Sequence, residues 1–260
     1  MKLQLIVTTM NQKSFDLVST MNIQSDAIIC NQCGIDNVKV LKKDCHDIML
    51  LSSSTFGKSV NQNLGIMYSS GDILLFSDDD LILSDNYENA VISFFEKYKS
   101  ADAVKFYCES LNKDRPLAFK KPKKIQKVSK TKMMSAGTPM LAVKRAFLLK
   151  NNIWFDASIG PGTKCPNGED GVFLDSLFRN KANVYVCPDL LAYVKQCDSS
   201  WFCGFDEPYF VNSGYIYRKI YGFFCFLPII RKALKFSINK KSDFSLFKMI
   251  ALLNKGAKKK

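Results

Sequence analysis

The run Gly71, Asp72, Ile73, Leu74, Leu75, Phe76, Ser77 leads directly into three consecutive aspartates, Asp78, Asp79 and Asp80. A short apolar strand with a triple negative charge at its end narrows the folds open to a chain. Like charges packed at a strand terminus repel one another unless a cation sits among them. Hard divalent ions such as Mg2+ and Mn2+ favour carboxylate oxygens and share their coordination with phosphates, so a nucleotide diphosphate would suit such a site. The plainer reading of the same residues is a solvated acidic turn capping the next helix. The surrounding chain has to decide between them.

That chain alternates short apolar runs with helix-length spans. Leu3 to Val7 and Ala27 to Cys30 are separated by a polar stretch and read as the start of a βαβ unit. Val38 to Leu41 and Ile48 to Leu51 read as strands, Lys58 to Tyr68 as a helix, and Ile73 to Phe76 as the strand before the aspartates. A helix is expected over Asp85 to Lys99, a strand over Ala103 to Cys108, and regular structure again over Met140 to Val143 and Arg145 to Lys150. The glycine-rich stretch Gly160 to Gly171 then feeds a helix from about Val172 to Asn180, followed by a strand over Val184 to Cys187. Strands alternating with helices predict a mostly parallel sheet whose ligands lie beyond the carboxyl ends of the strands, where the aspartates sit.

At 260 residues the chain has room for one sizeable α/β domain and a short appendage. Its hydrophobic fraction of 47% and charged fraction of 23% are those of a folded globular protein. The net charge of +13 is localised: residues 215–260 carry twelve Lys/Arg against Asp243, and residues 113–132 carry nine against Asp114, which leaves the rest of the chain at −6. A nucleic-acid-binding module would place its cations on the folded face, so the acidic body argues against that class. Nine cysteines are too many to ignore, but the count is odd and the start MKLQLIVTTMNQ enters a strand with no visible signal peptide. We expect a reducing cytosolic setting with most cysteines acting as small buried hydrophobes. Cys30 and Cys33 form a lone CxxC, and Cys45 with His46 do not complete a finger-like zinc spacing.

The two basic segments differ. Asn112 to Lys132 mixes lysines with prolines and reads as a mobile loop. Tyr215 to Phe236 interleaves aromatic and aliphatic residues with Arg218, Lys219, Arg231, Lys232 and Lys235. Its longest uncharged run, Ile220 to Ile230, holds Pro228 and is far short of the roughly twenty residues of a spanning helix. It is expected to lie on an anionic membrane surface, and the alternative is a helix packed on the domain with a solvated lysine tail. The expected division is residues 1–205 as the main domain and 206–260 as a basic, helical, membrane-associating extension.

The passage from Asn63, Leu64, Gly65 and Ile66 through Gly71 and Asp72 to Asp80 resembles the DxD region of family 2 glycosyltransferases, in which an asparagine-glycine helix precedes a strand ending in aspartates. Asn167, Gly168, Glu169, Asp170 and Gly171, preceded by Phe155, Asp156 and Gly160 to Gly162, look like the same family's ED motif at a helix start. The resemblance covers about residues 3–188. It implies a GT-A fold, Rossmann-like and α/β, and an inverting transfer of a sugar from a nucleotide-diphosphate donor, UDP-linked, to a hydroxyl of a lipid-linked glycan in bacterial capsule, exopolysaccharide or cell-wall assembly.

By that resemblance, Asp80 binds the metal and diphosphate, and Asp78 approaches the ribose or the metal, with Asp79 beside them. Asp170 is the general base and Glu169 binds the acceptor or orients Asp170; plain helix capping by both carboxylates is the alternative. Thr8 and Thr9 close the first strand where such enzymes hold the base. Asn31 stands where family members often carry an aspartate for uracil, and Gln62 where an arginine is common. Ser135 to Met140, with Gly137, Thr138 and Pro139, looks like the acceptor-lining segment, with a plain turn before a strand as the alternative, and Trp201 is a candidate acceptor platform, with aromatic core packing as the alternative. The implied cofactor is Mn2+ or Mg2+, and the implied place of work is the inner face of the cell membrane, alone or as a homo- or hetero-oligomer. A nucleotidyltransferase would carry a glycine-rich phosphate loop near the first strand, and none is seen; an inactive glycosyltransferase-like partner subunit would not be expected to retain Asp80 and Asp170.

Overall fold

The period of two along the first strands sorts their side chains into two cores. Leu3, Leu5 and Val7 pack with Ala27, Ile29, Ile73 and Leu75 on one face, whereas Ile6 packs with Ile28, Leu74 and Phe76 on the other. With both faces covered, such strands read as nearly continuous apolar runs. The computed structural model describes residues 1–134, 136–195, 204–239 and 242–259.

In chain order the elements are β1 (Leu3–Met10), α1 (Asp16–Thr20), β2 (Asp26–Gln32), β3 (Asn37–Lys43), β4 (His46–Ser53), α2 (Lys58–Tyr68), β5 (Ile73–Asp78), β6 (Leu81–Leu83), α3 (Tyr87–Lys97) and β7 (Ala103–Ser110). There follow β8 (Gln126–Lys127), α4 (Lys130–Met133), β9 (Leu141–Lys144), α5 (Arg145–Lys150), α6 (Glu169–Arg179), β10 (Val184–Val194), α7 (Glu207–Tyr221), a 3-10 turn over Gly222–Cys225, α8 (Phe226–Ile238) and α9 (Leu246–Ala257). The strands form one sheet in the order β3-β4-β2-β1-β5-β9-β7-β10-β6, with β8 paired to β10. β4, β2, β1 and β5 are mutually parallel, β7 runs parallel to β10, and β9 is inserted antiparallel between β5 and β7. The expected α/β fold with a mostly parallel central sheet is what the chain adopts.

Several boundaries differ from expectation. The first crossover holds only the five residues of α1, because Asn22 enters a left-handed conformation and Met21 turns back into the core. Helix α6 starts at Glu169, with Gly168 left-handed just before it, so the two carboxylates occupy its first turn. The basic segment 112–132 is not wholly irregular: Gln126–Lys127 pairs with β10 and Lys130 opens α4.

Helix α2 is fixed to the sheet by the asparagine-glycine pattern. Asn63 receives the backbone N–H of Phe155 at 2.9 Å and donates to the Phe155 carbonyl at 2.9 Å. A Cβ on Gly65 would lie 2.5 Å from the Ile6 side chain, so only glycine lets the helix sit this close to β1. Phe155 in turn stacks on Phe173 of α6 with ring centroids 3.9 Å apart, and both meet Phe76 of β5 edge-on. Helices α2 and α6 are thereby keyed to the strand that ends in the aspartates.

The C-terminal helices pack on α6 and on one another. Ile216 and Ile220 of α7 share an apolar cluster with Ile159 and Cys165. Lys130 bonds the Ile220 carbonyl and pairs with Asp175, which Arg179 also holds at 2.7 Å. α7 and α9 cross so closely that a Cβ on Gly214 or on Gly256 would lie 1.8 Å from a carbonyl oxygen of the other helix. No helix among the described residues is long and apolar enough to cross a membrane. Removing the Asn63 amide leaves a backbone N–H and carbonyl of Phe155 without their partner, so Asn63→Ala is expected to lose about 1–3 kcal/mol in urea unfolding, more than Gln24→Ala at the exposed sheet margin.

Candidate functional site

The carboxyl ends of β1, β2 and β5 lie side by side, with Thr8 opposite Asp78 and Thr9 opposite Asn31 in the strand register. Their side chains tie the ends together. Thr8 Oγ1 lies 3.2 Å from Asp78 Oδ1 and Thr9 Oγ1 donates to Asp79 Oδ2 at 2.6 Å. Asn31 accepts from the Gln12 backbone N–H at 2.9 Å and donates to the Gln12 carbonyl and to Ser52 Oγ, closing the neighbouring loop.

Lys58, at the first position of α2, reaches across to this row. Its Nζ lies 2.9 Å from Asp78 Oδ1 and 3.6 Å from Glu169 Oε1, joining the β5 terminus to the α6 terminus. Burial alone would push its ammonium below the ordinary lysine range, but Asp78, Asp170 and Glu169 together outweigh it and hold it above. On the acidic side, burial and then the charge of Asp170 push Glu169 up to about 7 against the pull of Lys58.

Asp78, Asp80, Gly137, Pro139 and Asp170 line one cleft of about 290 Å3. Two carboxylates from the end of β5 and one from the start of α6, about ninety residues apart in the chain, therefore face a single space. Thr138 Oγ1 donates to Asp170 Oδ1 at 2.6 Å, which leaves Oδ2 for another partner. Gly137 is left-handed, with φ +67°, and a Cβ there would stand 3.3 Å from that Oδ2. Glycine keeps the approach to the second oxygen open.

Other wall residues carry signals that sequence reasoning did not single out. Lys105, on the interior of β7, is buried, donates to the Pro139 carbonyl and lies 5.6 Å from the Phe119 ring centroid. Burial pushes its ammonium below the usual lysine range. Leu117, Ala118 and Phe119 bring part of the basic 112–132 segment onto the cleft. A lysine within an otherwise apolar strand was a readable cue for Lys105; Lys58 carried none beyond opening the helix. Gln62 is buried within α2, its Oε1 without a partner among the described residues, and it is not on the cleft wall. Trp201 and Ser135 lie outside the described residues.

Among the described residues no group of three or more His, Cys, Asp or Glu is arranged to hold an ion by itself, the CxxC region included. Asp78 and Asp80 can supply two oxygen ligands, and donor phosphates would have to complete the set. The environment of Asp80 fits that use: burial and then the charges of Asp78 and Asp79 hold its carboxyl above the usual range, a strain that a divalent ion would relieve.

The raised value at Glu169 sets a pH dependence. Below its ordinary value of 4.5 the group is neutral in both states; between 4.5 and about 7 the unfolded chain releases a proton that the folded chain retains. Folding stability due to this group therefore declines as pH rises through that window. Glu169→Gln is expected to flatten the decline and to be the more stable form at pH 8, measured by urea unfolding with EDTA present.

Residues 28–151, a stretch that holds the aspartate strand but not Asp170, match the family described as glycosyl transferase family 2. Among curated proteins none matches this chain in sequence. The structure of S. aureus TarS 1-349 superposes with a TM-score of 0.62 at 14% identity, over 98% of this chain and 70% of that one. TarS 1-349 in complex with UDP-GlcNAc gives 0.60 at 14% identity, over 98% and 71%. The longer TarS structure gives 0.59 at 13% identity, and this chain spans 43% of it. The chain thus shares the GT-A fold of these structures, and its segment 28–151, with the aspartate strand inside it, is similar to glycosyl transferase family 2.

Proposed function

We propose that this chain is an inverting, metal-dependent transferase that moves a sugar from a UDP-linked donor to a hydroxyl of a lipid-carried glycan during bacterial surface polysaccharide assembly, at the inner face of the membrane. The observation that supports it most is the meeting of Asp78, Asp80 and Asp170 on one cleft wall. S. aureus TarS, whose fold this chain shares, forms complexes with UDP-GlcNAc and with UDP, which supports a UDP-linked donor here.

In this reading the donor lies over the ends of β1, β2 and β5, with Thr8, Thr9 and Asn31 ordering the rim on which the nucleotide rests. Asp78 and Asp80 would hold Mn2+ or Mg2+, which when bound neutralises charge on the leaving diphosphate. Asp170 is the base: its Oδ1 is held by Thr138, and Oδ2 takes the proton of the acceptor hydroxyl. The acceptor oxygen bonds to the anomeric carbon while the bond to the diphosphate breaks, the electron pair leaving with the diphosphate. Attack from the face opposite the leaving group inverts the configuration. Glu169, tied to Lys58, keeps the start of α6 beside the cleft. Gly137, Pro139 and Lys105 wall the side from which the acceptor would enter.

Two substitutions separate the roles. Asp170→Asn is expected to reduce transfer at least a hundredfold, in line with loss of a general base, while the UDP-dependent thermal shift in Mn2+ stays within error of wild type. Asp80→Ala is expected to abolish the Mn2+-dependent part of that shift. Loss of UDP binding in Asp170→Asn would instead assign residue 170 to the donor site.

A further inference from the structure

The 3-10 turn and α8 carry apolar side chains on two opposite sides. Ile229, Ala233 and Phe236 point inward and pack against α7 and α9. Leu227, Ile230, Leu234 and Ile238 recur at spacings of three and four, which places them along the other side of the same helix, and all four are exposed. Phe223, 78% exposed, and Phe224, 62% exposed, extend this stripe onto the turn. A helix in water ordinarily buries one stripe and presents polar residues on the rest. Here the outer stripe is apolar, and no element among the described residues covers it.

Charge says what covers it. Residues 208–242 contain no Asp or Glu; Lys219 is taken up by Asp156 and Lys232 by Tyr209 and Ser213, whereas Arg218, Arg231 and Lys235 are exposed. Arg231 and Lys235 flank the outer stripe at helical spacing. An apolar face edged by cations and free of acids complements an anionic lipid surface, where aromatic rings settle at the headgroup level. From these observations we infer that the Phe223–Ile238 face is the surface by which the chain lies on an anionic bilayer, with α8 parallel to the membrane plane.

This placement rests on the proposed transfer to a lipid-carried acceptor and deepens it. Ile220 sits beside Gly171, the residue after Asp170, since a Cβ on Gly171 would lie 3.5 Å from Ile220 Cδ1. Phe223 is three residues further, a reach of at most about 11 Å along the chain. A bilayer touching Phe223 and Phe224 therefore lies next to the helix that carries the base, where a lipid-borne hydroxyl could enter the cleft without leaving its membrane.

The test is flotation of the full chain with phosphatidylglycerol/phosphatidylcholine vesicles and with pure phosphatidylcholine vesicles, for wild type and for the variant Phe223→Ser/Phe224→Ser/Leu227→Ser. All three positions are exposed, so the fold should persist, and retention of the UDP-dependent thermal shift verifies it. Wild type is expected to float with the anionic vesicles at least tenfold more than with neutral ones, and the variant to lose at least tenfold of that binding. Equal flotation of variant and wild type overturns the inference, as does wild type that stays unbound. A wild-type dimer in solution that the triple substitution converts to a monomer would give the face to a second copy and equally overturn it. A normal UDP shift without flotation removes the docking surface alone, whereas a lost shift in wild type strikes at the transferase reading itself.

Discussion

A partly buried lysine cation between the acidic ends of a strand and a helix is the contact on which the cleft depends. Asp78 terminates β5 and Glu169 opens α6, and Lys58 at the head of α2 stands between them. A carboxylate withdrawn from water, as Glu169 is, carries a penalty of several kcal/mol unless a partner and hydrogen bonds compensate. Without the cation, the end of β5 and the start of α6 would repel, and the three elements would have no electrostatic reason to converge. The arrangement leaves Asp80 and Asp170 facing the open space, with Asp80 still short of positive charge.

The apolar core holds that charge arrangement in register. Asn63 binds both backbone groups of Phe155, Phe155 stacks on Phe173, and both rings abut Phe76. Phe76 lies two residues before Asp78, and Phe173 three after Asp170. Packing that fixes these rings also fixes the two carboxylates relative to each other. The tail continues the same logic, since α7 is clamped to α6 through Ile216, Ile220 and the Lys130 and Arg179 bonds to its last turn.

Much of this was legible in the sequence, for identifiable reasons. Strands buried on both faces give unbroken apolar runs, so β1, β2, β5 and β7 were placed within a few residues, and the aspartates at the end of β5 and the Glu169, Asp170 pair were singled out before their meeting was visible. The extents of β10 and α6 were missed because a strand can continue through a bulge, as β10 does after Cys187, and because a left-handed Gly168 can start a helix earlier than its apolar pattern suggests. Lys58 was not foreseen, because its role depends on a carboxylate more than a hundred residues away. The 112–132 segment read as a loop by composition, yet Phe119 and its neighbours reach the cleft wall. Long-range charge pairing and loop docking leave no local periodicity to read.

The proposed chemistry depends on where the diphosphate binds. A crystal structure of the chain with UDP and Mn2+ tests this most directly. The metal is expected on Asp78 and Asp80, the pyrophosphate between them and the Asp170 side of the cleft, and the base over the ends of β1 and β2. A nucleotide bound elsewhere, such as the hollow beside His46 and Lys43 at the opposite end of the sheet, or a metal that leaves both aspartates untouched, would contradict it.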